Sequence, residues 1–178
     1  MDVISHGLWA ILLVKGIFNK GKLWLAFLVG ILPDVIPFGI PFVQIIFSGS
    51  TLGKEQVINA PSYVHILYGL THSLLIVTIV FLLIYLIKKK IYIWVLAWPL
   101  HILIDIPTHS NEFFPTPFLY PISNFTVNGI LWTNPYIFFP NWVLLIILFI
   151  IVFWKNIKEF VNRIIKDKKL RFLPKKPV

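Results

Sequence analysis

"YVHILYGLTHSLLIVTIVFLLIYLIKKK", residues 63–90, decides how this chain is read. From Tyr63 to Ile87 it carries no Asp, Glu, Lys or Arg, and three lysines follow at once. A helix of about 20 apolar residues crosses the ~30 Å hydrocarbon core of a bilayer. Residues 63–87 are therefore expected to form a full membrane span that reaches water at Lys88.

The rest of the chain agrees with that solvent. Of its 178 residues 58% are hydrophobic, 16% aromatic and only 13% charged, and the mean hydropathy is +0.85. A soluble domain carries about 25% charged residues. One small core cannot bury this excess, so an all-α, polytopic membrane helical bundle is expected. The net charge of +9 comes from lysines in short clusters between apolar runs: Lys15, Lys20 and Lys22, then Lys88 to Lys90, then Lys166 to Lys176. Such clusters fit loops on the cytoplasmic side and not a nucleic-acid-binding face, so no nucleic acid is expected as partner. With no cysteine, disulfides and thiolate metal sites are excluded. Asp2 and His6 stand where a signal peptide would carry basic residues, and no cleavage pattern follows the first apolar run.

The apolar runs divide the chain. Residues 3–18 are marginal for a span, and 23–47 are broken by "LPDVIPFGIP", whose three prolines are expected to interrupt any continuous helix. A polar loop follows at 50–62. After the span of 63–87 come another at 91–106, an irregular aromatic stretch at 107–140 and a last span at 141–157. About four to five spans result, in a single integral membrane domain over residues 1–160 with a basic tail over 161–178. Placing every lysine cluster inside makes that tail cytoplasmic and turns the loops 48–62 and 107–140 outward. The expected location is the inner membrane of a prokaryotic cell, crossed several times.

Against this background the polar residues within apolar runs stand out. Two of only seven acids, Asp34 and Asp105, lie there. An aspartate at a helix centre costs ~2.5–3.5 kcal/mol on insertion scales, so each calls for compensation. "HILIDIPTHS" (101–110) places His101, Asp105 and His109 four apart, on one helical face. Pro107 is expected to end that helix at Ile106 and so to set His109 apart. His65 and His72, seven apart, share another face, with Gly69 leaving room for a close neighbour. With the lysines inside, His6, Asp34, His72, His101 and Asp105 all fall toward the outer side at a similar depth. Imidazole and carboxylate without thiolate suit Zn, Mn or Fe. Hydroxyls at Thr71, Ser73 and Thr108 are placed to orient these ligands, or else to hydrogen-bond within their own helices.

Four motifs in order, "SHGLWA", "GILPDV", "GLTHSLL" and "HILIDIPTHS", resemble the YdjM-type family of membrane-bound metal-dependent hydrolases. The resemblance covers about residues 1–125. It implies that His6 is the family's N-terminal histidine, Asp34 its L-P-D aspartate, His72 its T-H-S histidine, and His101 with Asp105 its H-x-x-x-D pair. Family members often carry His-Arg before the Gly of the T-H-S motif. Here Leu67 and Tyr68 stand there and His65 is displaced upstream, which removes an arginine that could hold a phosphate. A more distant similarity is to the zinc-dependent phospholipases C and the single-strand-specific zinc nucleases.

Together these readings lead to an expected activity. His6, Asp34, His72, His101 and Asp105 would bind one or two divalent ions, most simply zinc, with His65 and His109 as additional candidates. Asp105 would bridge, and Asp34 would serve as general base. The substrate would be a phosphoester or a lipid head group at the outer face, with membrane lipid as partner. The aromatic stretch 107–140 would either cover such a head group or anchor an irregular loop at the interface. The alternative is a non-enzymatic membrane protein, a metal carrier or an assembly partner, built on the same cluster. No G-x-S-x-G elbow or P-loop occurs, so a serine hydrolase or nucleotide-binding enzyme finds no support.

Overall fold

Asp2 starts the first helix: its carboxylate accepts from the backbone N–H of Ser5 at 2.9 Å and from the Ser5 hydroxyl. In this computed structural model α1 spans Val3–Leu12 and continues as a π-helical turn through Leu13–Ile17. The structure describes residues 1–19, 21–48 and 60–171, with residues 48 and 167–171 by backbone only. Lys20, residues 49–59 of the expected polar loop with Glu55, and the tail from residue 172 lie outside the described residues. Among the described residues five more α-helices follow: α2 (Leu23–Ser48), α3 (Ser62–Thr71), α4 (Leu74–Lys88), α5 (Ala97–Thr108, entered through a 3-10 turn at Ile93–Leu96) and α6 (Pro135–Arg171). Between α5 and α6 the chain is irregular apart from one bridge between Ser110 and Phe113.

The prolines do not interrupt α2. It runs unbroken with Pro33, Pro37 and Pro41 inside it. Each proline leaves the carbonyl four residues earlier without its helical donor. For Pro37 that carbonyl is Pro33's, and the Thr71 hydroxyl, arriving from α3, donates to it at 2.9 Å. A donor from a second helix thus replaces one that the sequence had removed.

The expected single span over 63–87 is instead two helices, α3 and α4, meeting at an angle of 59°. The break falls at His72 and Ser73. Ser73 caps α4 by accepting from the backbone N–H of Ile76 at 3.2 Å, and its own hydroxyl donates to the Tyr120 carbonyl. The Leu74 N–H turns outward to the Phe118 carbonyl at 2.9 Å. An N-cap with these partners competes successfully with a continuous helix.

Helix length and composition support two membrane spans, Leu23–Phe47 and Pro135–Lys166, or three if α3 and α4 form one bent span. That is fewer than the four to five expected. The apolar helices at Val3–Ile17 and Ile93–Thr108, at about 1.5 Å per residue, reach only about 22–24 Å. They lie against α2 instead. Small residues permit the contact: a Cβ on Gly7 would meet the Phe27 ring at 2.5 Å, and one on Gly30 would meet the His6 carbonyl at 2.9 Å. Two apolar clusters result. One joins α1, α2 and α5 through Ala10, Val14, Ala26 and Ala97. The other joins α3 to the loop through Val64, Tyr68 and Phe114, with Phe38 of α2 against it. Along α2, Asp34 sits between Ala26 of the first and Phe38 of the second.

Candidate metal centre

His101 and Asp105, one turn apart on α5, bring Nε2 and Oδ2 to 3.2 Å. The break after α3 swings His72 into the same space, where its Nε2 lies 3.1 Å from His101 Nε2 and 3.4 Å from Asp105 Oδ2. Asp34 of α2 completes the group, its Oδ1 standing 3.5 Å from His72 Nε2 and 3.6 Å from His101 Nε2. All four side chains are buried. Four atoms on a tetrahedral zinc, each about 2.0–2.1 Å from it, stand about 3.3 Å from one another. Five of the six separations here fall between 3.1 and 3.6 Å.

The outer nitrogens fix which way these rings point. His101 Nδ1 is 2.7 Å from the Gly30 carbonyl, which can only accept, so this nitrogen carries a proton. His72 Nδ1 is 3.1 Å from the Tyr68 carbonyl and 3.1 Å from Thr71 Oγ1. The Thr71 hydroxyl has spent its proton on Pro33, so it accepts from His72. Both rings therefore hold Nδ1–H outward and Nε2 inward, the orientation that metal-binding histidines adopt. Tyr68 stacks on His72 with centroids 3.8 Å apart and locks its tilt.

Asp105 uses its second oxygen on the other side. Oδ1 lies 2.9 Å from His6 Nε2, 3.5 Å from His109 Nε2, and in contact with the amino group of Met1. His6 stacks on His101 at 3.6 Å, yet neither of its nitrogens has a hydrogen-bond partner; its approach to Oδ1 is close but off the hydrogen-bond direction. Asp105 Oδ2 is likewise without one. Buried polar atoms in folded proteins are nearly always satisfied. Asp105 Oδ2 is such an atom within the group Asp34, His72, His101 and Asp105, and a cation there would satisfy it together with the two inward Nε2 atoms, so the residues present fit a divalent cation. His109 Nδ1 donates to the Phe114 carbonyl at 2.8 Å, which turns its Nε2 inward as well.

A family model described as YdjM inner membrane protein matches residues 1–165. The chain belongs to this family. Comparison with curated proteins and with solved structures gives no match. Membership in the YdjM family carries the inner membrane with it, and within the match lies the buried group Asp34, His72, His101 and Asp105 that could hold a metal ion.

For this YdjM chain the structure brings His6, Asp34, His72, His101, Asp105 and His109 together. α5 runs on through Pro107 to Thr108, because a proline in the last turn breaks only one bond of the ladder, and His109 stays within reach. His65 goes elsewhere: it is exposed and stacks on Phe114 at 5.2 Å. The expected orienting hydroxyls divide by role. Thr71 touches His72, Ser73 caps α4, and Thr108 bonds within its own helix to the Ile104 carbonyl at 2.8 Å. Sequence reasoning assigns no orienting role to Tyr68 or to the carbonyls of Gly30, Pro33 and Phe114. A Tyr four residues before the T-H-S histidine is the one readable signal.

Proposed function

We propose that this YdjM-family protein is an integral membrane metal-dependent hydrolase acting on a phosphoester, foremost a lipid head group, at the outer face of the membrane. The observation that carries the proposal is the buried set of His72 Nε2, His101 Nε2, Asp34 Oδ1 and Asp105 Oδ2, five of whose separations lie between 3.1 and 3.6 Å. Zinc is the first choice for such a nitrogen and oxygen set, with Mn and Fe next. Asp105, His6 and His109 would be the residues to hold a second ion, at the place where the amino group of Met1 contacts Asp105 Oδ1 and lies 3.1 Å from His109 Nε2.

A divalent ion bound there polarises a phosphoryl oxygen and lowers the pKa of a nearby water. The protein's own groups do the rest. Gly30, Tyr68 and Thr71 hold the two imidazoles in the tautomer that presents Nε2. Asp34, which retains slight exposure at 5% where Asp105 has none, would take a proton from the attacking water, with His72, His101 and Asp105 as the three ligands that leave a position open for that water. The only arginines in the chain are Arg163 and Arg171, far along α6. No arginine is therefore at hand to share the charge developing on phosphate. The aromatic loop carrying Phe113 and Phe114 supplies an apolar wall, suited to a lipid substrate.

The second reading, a metal carrier, needs a polar path onward to the lysine side. Among the described residues, Ala10, Val14, Ala26 and Ala97 are buried at that side, which argues against such a path. The test is elemental analysis of detergent-purified protein together with release of phosphorylated head groups from mixed phospholipid vesicles. Wild type should hold metal and release head groups; Asp105→Ala should lose both, and Asp34→Asn should lose turnover more than metal. Metal-free wild type would remove the centre, and metal without turnover on any phosphoester would favour the carrier.

A further inference from the structure

The α4 helix is almost without partners: Val77 is its one buried residue, while Leu82, Leu83, Leu86 and Ile87 are all exposed. Beside it, where the chain turns back through Lys88–Lys90 toward the 3-10 turn, a groove of about 410 Å³ opens between α4 and Ile91–Leu96. Phe81, Leu82 and Ile84 form one wall, Val95 and Leu96 the other, and Lys90 lies at the rim. Leu74 to Lys88 spans fourteen steps, so at 1.5 Å each the groove's lysine end lies roughly 20 Å from the metal centre.

Among the described residues no carboxylate pairs with the lysines at this rim. Lys88, Lys89 and Lys90 are all exposed, and the sequence holds no acid between Glu55 and Asp105. Lys90 Nζ stands 5.7 Å above the Tyr92 ring, which draws one ammonium over the groove's edge. An apolar slot ending in three cations matches an amphiphile with an apolar tail and an anionic head. A groove of this volume lies in the range of small-molecule sites, and in a membrane the molecule at hand is phospholipid.

We propose that this groove is a binding site for one anionic phospholipid, with an acyl chain between α4 and the 3-10 turn and the head-group phosphate at Lys88–Lys90. The site is separate from the metal centre, and binding there does not depend on hydrolysis.

The test is native mass spectrometry of the full chain released from vesicles of equal parts phosphatidylglycerol and phosphatidylcholine. Wild type should retain one phosphatidylglycerol in preference to phosphatidylcholine. Juxtamembrane lysines attract anionic lipid by about 1 kcal/mol each, so K88Q/K89Q/K90Q should lose head-group preference by roughly fivefold per lysine. Leu82→Trp, which fills the groove from an exposed position, should abolish retention of either lipid. A cooperative thermal unfolding transition in each variant, near the wild-type Tm, shows that both are folded whether or not metal is bound. Retention of phosphatidylglycerol by the lysine variant at the wild-type level would overturn the proposal. So would full retention in Leu82→Trp, or a second copy of the chain in place of lipid.

Discussion

The Nε2 atoms of His72 and His101 face one another at 3.1 Å, while the Nδ1 of each ring is committed to a backbone carbonyl on its far side. Two neutral imidazoles in that arrangement point lone pairs at each other. The contact is relieved either by a second proton on one ring or by a cation between them. Asp34 Oδ1 and Asp105 Oδ2, each within 3.6 Å of both nitrogens, add negative charge to the same point. A cation satisfies all four atoms together, whereas a single proton satisfies two.

Loading and removing metal should therefore change stability. A ligand at 100 times its Kd stabilises by about 2.7 kcal/mol, which for a chain of this size corresponds to a rise of about 5–10 °C in Tm. Detergent-solubilised protein should lose that increment on chelation and regain it with zinc. In His72→Ala or Asp105→Ala the chelator should make no difference. Thermal unfolding with and without chelator measures this; an equal Tm for loaded and stripped wild type would leave the proton as the explanation.

Thr71 links the proline-containing helix to the metal ligand. Its hydroxyl donates to the Pro33 carbonyl at 2.9 Å and receives His72 Nδ1 at 3.1 Å. Thr71→Val keeps the shape but leaves a buried carbonyl unpaired, which costs about 1–3 kcal/mol. It also removes a partner that orients His72, so metal affinity should fall about 10–100-fold. Adding Pro37→Ala restores an N–H four residues after Pro33. The double variant should recover part of the stability and none of the affinity, as read by thermal unfolding and metal titration on the same samples.

Much of the site is legible in the amino-acid sequence, and the remainder is hidden for physical reasons. Asp34 and Asp105 stand out as charges in apolar runs, and the spacing of His101 and Asp105 sets them on one face, where they meet at 3.2 Å. The continuity of α2 is not legible, because the donor that replaces a missing N–H comes from Thr71, far away in sequence. The break at His72 depends on Ser73 meeting Tyr120 and Leu74 meeting Phe118, which are also non-local contacts. His65 and His109 look alike in sequence, each sharing a helical face with another candidate ligand. Only the path of the loop, which puts the Phe114 carbonyl behind His109 and the Phe114 ring against His65, separates them.

Gly129 holds the end of α5 in place. Its N–H donates to the His109 carbonyl at 2.8 Å, while Ile130 and Trp132 donate to the carbonyls of Pro107 and Thr108 at 3.0 and 2.9 Å. A Cβ at Gly129 would collide with the Pro107 carbonyl, so the two segments must part. Gly129→Ala should lower the metal count per chain by releasing His109, and lower Tm as well. At Gly39 the nearest atom to a Cβ is 4.0 Å away. There the same substitution lies in a helix and should stabilise by about 0.5–1 kcal/mol. Elemental analysis and unfolding of the two variants, side by side, check both statements.

Asn141 joins α6 to α1 and so to the His6 side of the cluster. Its Oδ1 accepts from Trp9 Nε1 at 2.9 Å, and its Nδ2 donates to Ser5 Oγ at 2.9 Å, one residue before His6. Interhelical hydrogen bonds in membranes contribute about 0.6 kcal/mol on average and up to about 1.7. Asn141→Leu cuts both and leaves the buried Ser5 hydroxyl without that donor. A double-mutant cycle of Trp9→Phe and Asn141→Leu should show a coupling of that size. If α1 is held in register by this contact, Asn141→Leu should also weaken metal binding, while Ile147→Leu, at an exposed position on the same helix, should leave it unchanged. Additive effects in the cycle, or wild-type metal affinity in Asn141→Leu, would show that α1 is positioned by Gly7 and Gly30 packing alone.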